Sequence, residues 1–268
     1  MYTEHIHGPT LILNERIARA NIRRMAEKAR AAGVSFRPHF KTHQSHLVGE
    51  WYRENGVKQI TVSSVDQAMY FAEAGWTEIT IGFPCNVREM QRLNLLAKKV
   101  RLGVIFQSVH VAQRLAEGLE AEVDGWVELD IGDARSGLHW ADSEAIEAVA
   151  RAAQDARNIR LRGLLGHAGY SYGCRGENEI LRVHRESLEA MAAAKAELEK
   201  GGFHGLQVSV GDTPTCSVAK NFPGVDEIRP GNFVFYDLVQ AQVGSCSVSD
   251  IAVALAAPVV AKNEARME

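Results

Sequence analysis

The sequence is poor in cysteine: four in 268 residues, Cys85, Cys174, Cys216 and Cys246, far apart and in no CxxC pair. That excludes a disulfide framework and points to a reducing, cytoplasmic setting. Charge of one sign is also lacking. There are 30 Lys+Arg against 33 Asp+Glu, a net of -3, and no long single-sign block. Nothing there favours nucleic acid or an anionic membrane as partner. The longest apolar run, 251–261, is too short to cross a bilayer and is broken by Pro258. The first seven residues lack a basic region followed by an apolar core, so no secretory signal is expected. Three catalytic fingerprints are missing as well. No G-x-S-x-G turn is present, no Gly-x4-Gly-Lys-Ser/Thr phosphate loop, and Gly132 and Gly137 do not make a G-x-G-x-x-G.

What is present is a large core and a regular alternation. Hydrophobic residues make up 46% of the chain and charged ones 24%. Strand-like segments are expected over 35–41, 59–63, 78–83, 100–106, 125–131, 159–167, 205–210 and 227–235. Amphipathic stretches over 44–55, 65–74, 87–98, 109–119, 143–156 and 177–200 lie between most of them. Strand–helix alternation at this spacing implies right-handed parallel crossovers, and eight strands imply a closed (β/α)8 TIM barrel over 14–236. A doubly wound open sheet is the alternative. Residues 10–13 fall outside the barrel and are expected to pair with a second element. Residues 237–268 read as β-structure, too short for a domain of their own, so 1–13 and 237–268 are assigned to a partial, truncated C-terminal β-domain.

Function in such a barrel collects at the C-terminal strand ends. The first strand ends in His39 and Lys41. The fifth runs into Asp130 to Gly137, with Arg135. The sixth runs into His167-Ala168-Gly169, with Tyr172 beyond. The seventh ends in Gly211-Asp212-Thr213-Pro214-Thr215, and the eighth carries Arg229-Pro230-Gly231-Asn232. Phosphate commonly sits after strands seven and eight. Gly211 permits close backbone approach, Thr213 and Thr215 supply hydroxyls, and Gly231 and Asn232 add N–H groups. Alone these are ordinary turns; opposite a lysine on the first strand they suggest an anion nest. Burial at the mouth would lower the Lys41 pKa and make its amine nucleophilic. Arg135 either neutralises an anion at the mouth or pairs with Asp130 or Asp133. His39, His43 and His46 lack a carboxylate or cysteine to complete a metal set, so no metal residue is assigned.

The stretch Arg37-Pro38-His39-Phe40-Lys41-Thr42-His43 resembles the pyridoxal-phosphate lysine motif of D-threonine aldolases and D-serine dehydratases, within the alanine racemase-like, fold-type III group. The likeness continues through Val62-Ser63, Asp130 to Gly137, His167 to Tyr172, Val208 to Thr215 and Arg229 to Asp237. It implies that Lys41 forms a Schiff base with pyridoxal 5'-phosphate. It implies that Gly211, Asp212, Thr213, Gly231 and Asn232 surround the phosphate, that Tyr172 and His167 contact the cofactor, and that Arg135 lies near its phenolic oxygen. The activity implied is a lyase acting on β-hydroxy-D-amino acids, by retro-aldol cleavage of D-threonine-like substrates or dehydration of D-serine. An amino-acid racemase and a non-catalytic cofactor carrier are the alternatives. Family members carry a His-x-Cys metal pair in a C-terminal β-domain. A divalent metal (zinc or manganese) and a homodimer are therefore expected of the full-length protein, through ligands absent from this chain.

Overall fold

A computed structural model describes residues 3–263 together with 266 and 267. Nine helices of the described residues alternate with strands. Most begin on a capping side chain: Asn14, Ser45, Ser64, Ser108 and Asp142 each accept a backbone N–H of the first turn.

The barrel strands are β2 (Ser35–Phe36), β3 (Gln59–Val62), β4 (Glu78–Pro84), β5 (Arg101–Phe106), β6 (Val123–Asp130), β8 (Ile159–Gly166), β9 (Gln207–Val210) and β10 (Glu227–Ile228). They pair in parallel in the order β2-β10-β9-β8-β6-β5-β4-β3, and a short strand β7 (Leu138–His139) adds to β6. The ring closes beyond β2. His39 bridges Thr61 of β3, Phe40 N donates to Thr61 O at 2.8 Å, and Thr61 N donates to Pro38 O at 2.9 Å. On its other side the same segment donates from Arg37 N to Ile228 O and from His39 N to Pro230 O. The expected TIM barrel is therefore the observed fold, and the strand leading to Lys41 is held along both edges.

The main core lies between the sheet and its helices and includes Phe40, Tyr52, Phe71 and Trp76. Inside the barrel, Ile105, Trp126 and Leu165 form a separate apolar cluster. The facing interior side is polar, with Arg37, Ser209, Glu227 and Arg229 all buried.

Two expectations about the C-terminal part are corrected. The segment 227–235 is not one strand. The ladder stops at Ile228, Pro230 has no N–H to continue it, and Asn232–Val234 turns as a 3-10 helix. Residues 237–250 are not β-structure either. Asp237 accepts from Gln240 N and starts a helix, Leu238–Val243, which ends at Gly244 with φ +89°. A second 3-10 turn, Val248–Asp250, follows. Alternating valine and serine suggests a strand, but the cap and the burial of Gln240 and Val243 on one side favour a helical turn. Lys262–Asn263 pairs antiparallel with Arg266–Met267, and Val253–Ala256 (β11) is extended and pairs antiparallel with β1 (Thr10–Leu13), outside the barrel. Leu11 and Leu255 stand opposite each other there, 68% and 70% exposed.

Candidate active site

A cavity of about 150 Å3 opens at the C-terminal ends of the strands. Lys41, His39 and Thr42 form its wall from the β2 side. His167, Tyr172, Gly211 and Asp212 face them, and Arg229, Gly231 and Asn232 complete it. Seven of the nine residues expected at the site line this one space: Lys41, His167, Tyr172, Gly211, Asp212, Gly231 and Asn232. Thr213 lies directly behind, fully buried, its N–H donated to the Tyr172 hydroxyl at 3.3 Å. Arg135 stands at the rim. Its side chain is 60% exposed, 3.9 Å from the Asp133 carboxylate.

Each of these side chains has a local cause for its placement. Asp130 accepts N–H groups from Gly132, Asp133 and Ala134, which folds the loop carrying Arg135. Burial alone would raise the Asp130 pKa, and these three bonds outweigh it and lower it. Asp212 caps the short helix Thr213–Val218, and its carboxylate is occupied by donors of the protein itself. Its carboxylate accepts from Thr215 N at 2.8 Å, Thr215 Oγ1 at 2.7 Å and Ser171 Oγ at 2.7 Å. Burial pushes it up to about 6 in spite of those donors. Asp212 thus shapes the nest by fixing the turn that Thr215 and Ser171 close on.

The amine of Lys41 has no hydrogen bond or ion pair among the described residues. Its pKa is lowered by burial first, then by the positive charges of Arg135 and Arg229. His167 bonds the carbonyl oxygen of Gly211, which can only accept, so Nδ1 carries the proton and Nε2 is left as an acceptor. Burial lowers its pKa to about 3, so the ring stays neutral. Tyr172 is pushed up to about 12, chiefly by burial, and keeps its proton.

A phosphate needs donors and room, and both are there. Thr213 Oγ1 is buried without a partner, and Tyr172, which accepts from Thr213 N, retains its own O–H to give. No acceptor is seen for the backbone N–H of Gly231 or Asn232 among the described residues. At Gly231 a side chain could not be added: a Cβ would sit 2.9 Å from the carbonyl oxygen of His39. The residues present fit a phosphate-bearing cofactor with its reactive carbon at Lys41.

The family description "Alanine racemase, N-terminal domain" matches residues 14–238. The chain belongs to this family. Among curated relatives, it is 35% identical to D-threo-3-hydroxyaspartate dehydratase of Delftia sp. strain HT23 over 94% of this chain and 67% of the relative. That protein's solved structure superposes with a TM-score of 0.88. D-serine dehydratase of Dictyostelium discoideum is 26% identical over 98% of this chain and 71% of its own length. An alanine racemase-like protein from Idiomarina loihiensis superposes with a TM-score of 0.91 at 26% identity, over 99% of this chain and 71% of that one. The chain thus spans about two-thirds of the length of these relatives.

Within this family member, three cavity residues were not among those expected at the site: His39, Thr42 and Arg229. Arg229 is the charged one. It is buried, and burial lowers its pKa to about 10, still charged at neutral pH. A signal for it exists in the sequence. Glu227 and Arg229 are opposite charges two residues apart around Ile228, which puts both on one face of a strand. The three histidines of the first unit do not converge. His39 lines the cavity, His43 packs on Phe40 and Tyr52, and His46 bonds the Tyr70 hydroxyl.

Proposed function

We propose that this chain is the cofactor-holding part of a pyridoxal-phosphate-dependent lyase that acts on β-hydroxy-D-amino acids. The observation that carries the reading is the free amine of Lys41 in one cavity with the Gly211 and Gly231 turns. The names of the relatives, a hydroxyaspartate dehydratase and a D-serine dehydratase, support the substrate class.

Pyridoxal phosphate, when bound, supplies an electron sink for a bond broken at the substrate's Cα. The protein's share is positioning and proton handling. Thr213 Oγ1, the Tyr172 hydroxyl and the N–H groups of Gly231 and Asn232 would hold the phosphate. Lys41 would hold the reactive carbon. Its lowered pKa keeps Nζ unprotonated in a larger fraction of molecules, ready to attack and later to take a proton. Neutral His167 offers Nε2 as an acceptor and adds no competing positive charge. Arg135, at the rim and 3.9 Å from the Asp133 carboxylate, is placed to meet an anionic group entering the mouth.

We further infer a β-domain begun by the β1–β11 pair, whose exposed Leu11 and Leu255 ask for cover, and a homodimer in the complete protein. A divalent metal is part of the reading for the complete protein; among the described residues no group of three or more His, Cys, Asp or Glu stands together. No helix among the described residues is long and apolar enough to cross a membrane. Product analysis tests the activity on the full-length protein. Ammonia and a keto acid from D-threo-3-hydroxyaspartate or D-serine support the dehydratase, and glycine with an aldehyde from D-threonine supports the aldolase. Loss of optical activity with neither product supports a racemase and overturns the lyase.

A further inference from the structure

Two imidazoles line the cavity, His167 and His39. His39 stands two residues before Lys41, and its backbone is fixed on both sides. His39 N donates to Pro230 O at 2.9 Å, and the residue bridges Thr61 of β3. The side chain is buried, with the residue 7% exposed.

Its tautomer is set locally. The backbone N–H of Lys41 can only donate, and it meets His39 Nδ1 at 3.3 Å. Nδ1 therefore accepts, and the neutral ring carries its proton on Nε2. The ring is neutral because burial, then the positive charges of Lys41 and Arg229, hold its pKa well below the usual histidine range. Nε2–H has no acceptor among the described residues. His167 is the reverse, with its proton on Nδ1 and an accepting Nε2. The two rings thus offer a ligand one donor and one acceptor. A buried donor without a partner destabilises the fold, so His39 calls for an accepting ligand atom.

The direction of the ring selects that atom. It begins beside the nest: a Cβ on Gly231 would stand 3.1 Å from His39 Cβ. It ends on the opposite side: a Cβ on Gly82 of β4 would stand 3.5 Å from Nε2. Around the barrel, β3 and β4 lie on one side of the Lys41 segment, and β10 and β9, which carry the nest, lie on the other. Nε2–H therefore faces the part of a ligand remote from its phosphate. Pyridoxal phosphate carries its phosphate arm and its phenolic oxygen on the two ring carbons that flank the reactive carbonyl. With the phosphate in the nest, the phenolic oxygen falls on the side of Nε2.

We propose that His39 is a cofactor-binding residue whose Nε2–H donates to the phenolic oxygen of bound pyridoxal phosphate. The inference rests on the pyridoxal-phosphate reading above. A neutral donor stabilises charge on that oxygen without adding a further cation beside Lys41, Arg135 and Arg229. It is compatible with Arg135, expected near the same oxygen, because a phenolate oxygen accepts more than one hydrogen bond.

The experiment measures Kd by calorimetry for two ligands, pyridoxal phosphate and its 3-deoxy analogue, which lacks only the phenolic oxygen. The proteins are wild type, His39→Leu, which has no donor, and His39→Gln, whose amide can place an N–H near the position of Nε2. His39→Leu should bind pyridoxal phosphate about tenfold more weakly than wild type, the effect of one hydrogen bond to a charged group. It should bind the 3-deoxy analogue as wild type does. His39→Gln should recover most of the lost affinity for pyridoxal phosphate. An equal loss for both ligands marks a structural role and overturns the proposal, and so does undiminished binding of pyridoxal phosphate by His39→Leu. If His39→Leu does not fold, His39→Asn replaces it: Asn keeps an acceptor for Lys41 N but falls short of the Nε2 position. A wild-type protein that gives no visible band with pyridoxal phosphate overturns the cofactor reading together with the proposal. A band combined with equal losses overturns the proposal alone, which distinguishes the two failures.

Discussion

His167 donates its Nδ1 proton to the carbonyl oxygen of Gly211, linking the end of β8 to the end of β9 across the cavity floor. The bond ties a ring beside the reactive lysine to a turn that would cradle an anion. It also sets the tautomer, so Nε2 can only accept. Lysine, acceptor and nest are thus parts of one rigid strand-end assembly.

Thr213→Val tests the nest. Oγ1 is buried without a partner, so valine of similar shape should leave Tm unchanged or slightly raised. If Oγ1 serves the phosphate, pyridoxal-phosphate affinity should fall about tenfold, the effect of one hydrogen bond to a charged group. Cofactor titration monitored by absorbance, beside thermal melts, separates these outcomes.

Asp212→Ala should act the other way round, on the scaffold first. The change removes a helix cap and two hydroxyl partners from a buried position. A loss of about 1–2 kcal/mol in urea-unfolding stability is expected. Cofactor affinity falls as a consequence, because Thr213 and Tyr172 lose their backing. Stability unchanged within a few tenths of a kcal/mol would contradict the assignment.

Acid stability follows from the buried histidines. His39 is held well below its usual range, chiefly by burial, His43 is lowered to about 4 and His167 to about 3. Each is neutral when folded and takes a proton more readily when unfolded. Their contribution is present above pH about 6.5 and is lost as pH falls through the window down to about 3. Tm measured from pH 7 to pH 4 should therefore drop steadily. His43→Phe, at a site ringed by Phe40, Tyr52 and Phe71, should make that slope shallower. An identical slope would contradict the reading of His43.

Much of the barrel was legible because local signals and tertiary structure agree. The N-cap residues Ser64, Ser108 and Asp142 stand just ahead of amphipathic stretches, and the apolar strand interiors lie between them. The segment after Tyr236 reads as β-structure from the Val248-Ser249 alternation, whereas Val239 and Val243 four apart, with Asp237 three residues before Gln240, suit the capped helical turn that forms. The lysine, the histidine and the glycine turns were legible as polar residues at strand ends. Arg229 was legible only in part: its charge alternates with Glu227 along the strand, but its partners Ser209 and Gly166, distant in sequence, are seen only in the fold. The occupation of the Asp212 carboxylate by donors of the protein was hidden for the same reason: Ser171 supplies one from another loop.

The central claim is that the Lys41 amine holds pyridoxal phosphate. Borohydride reduction of the cofactor-loaded protein, followed by digestion and mass spectrometry, tests it directly. The account predicts a reduced pyridoxyl-phosphate adduct on the peptide containing Lys41, absent in Lys41→Ala, which should also lack the visible band. An adduct on a different lysine, or a band that survives Lys41→Ala, would contradict it.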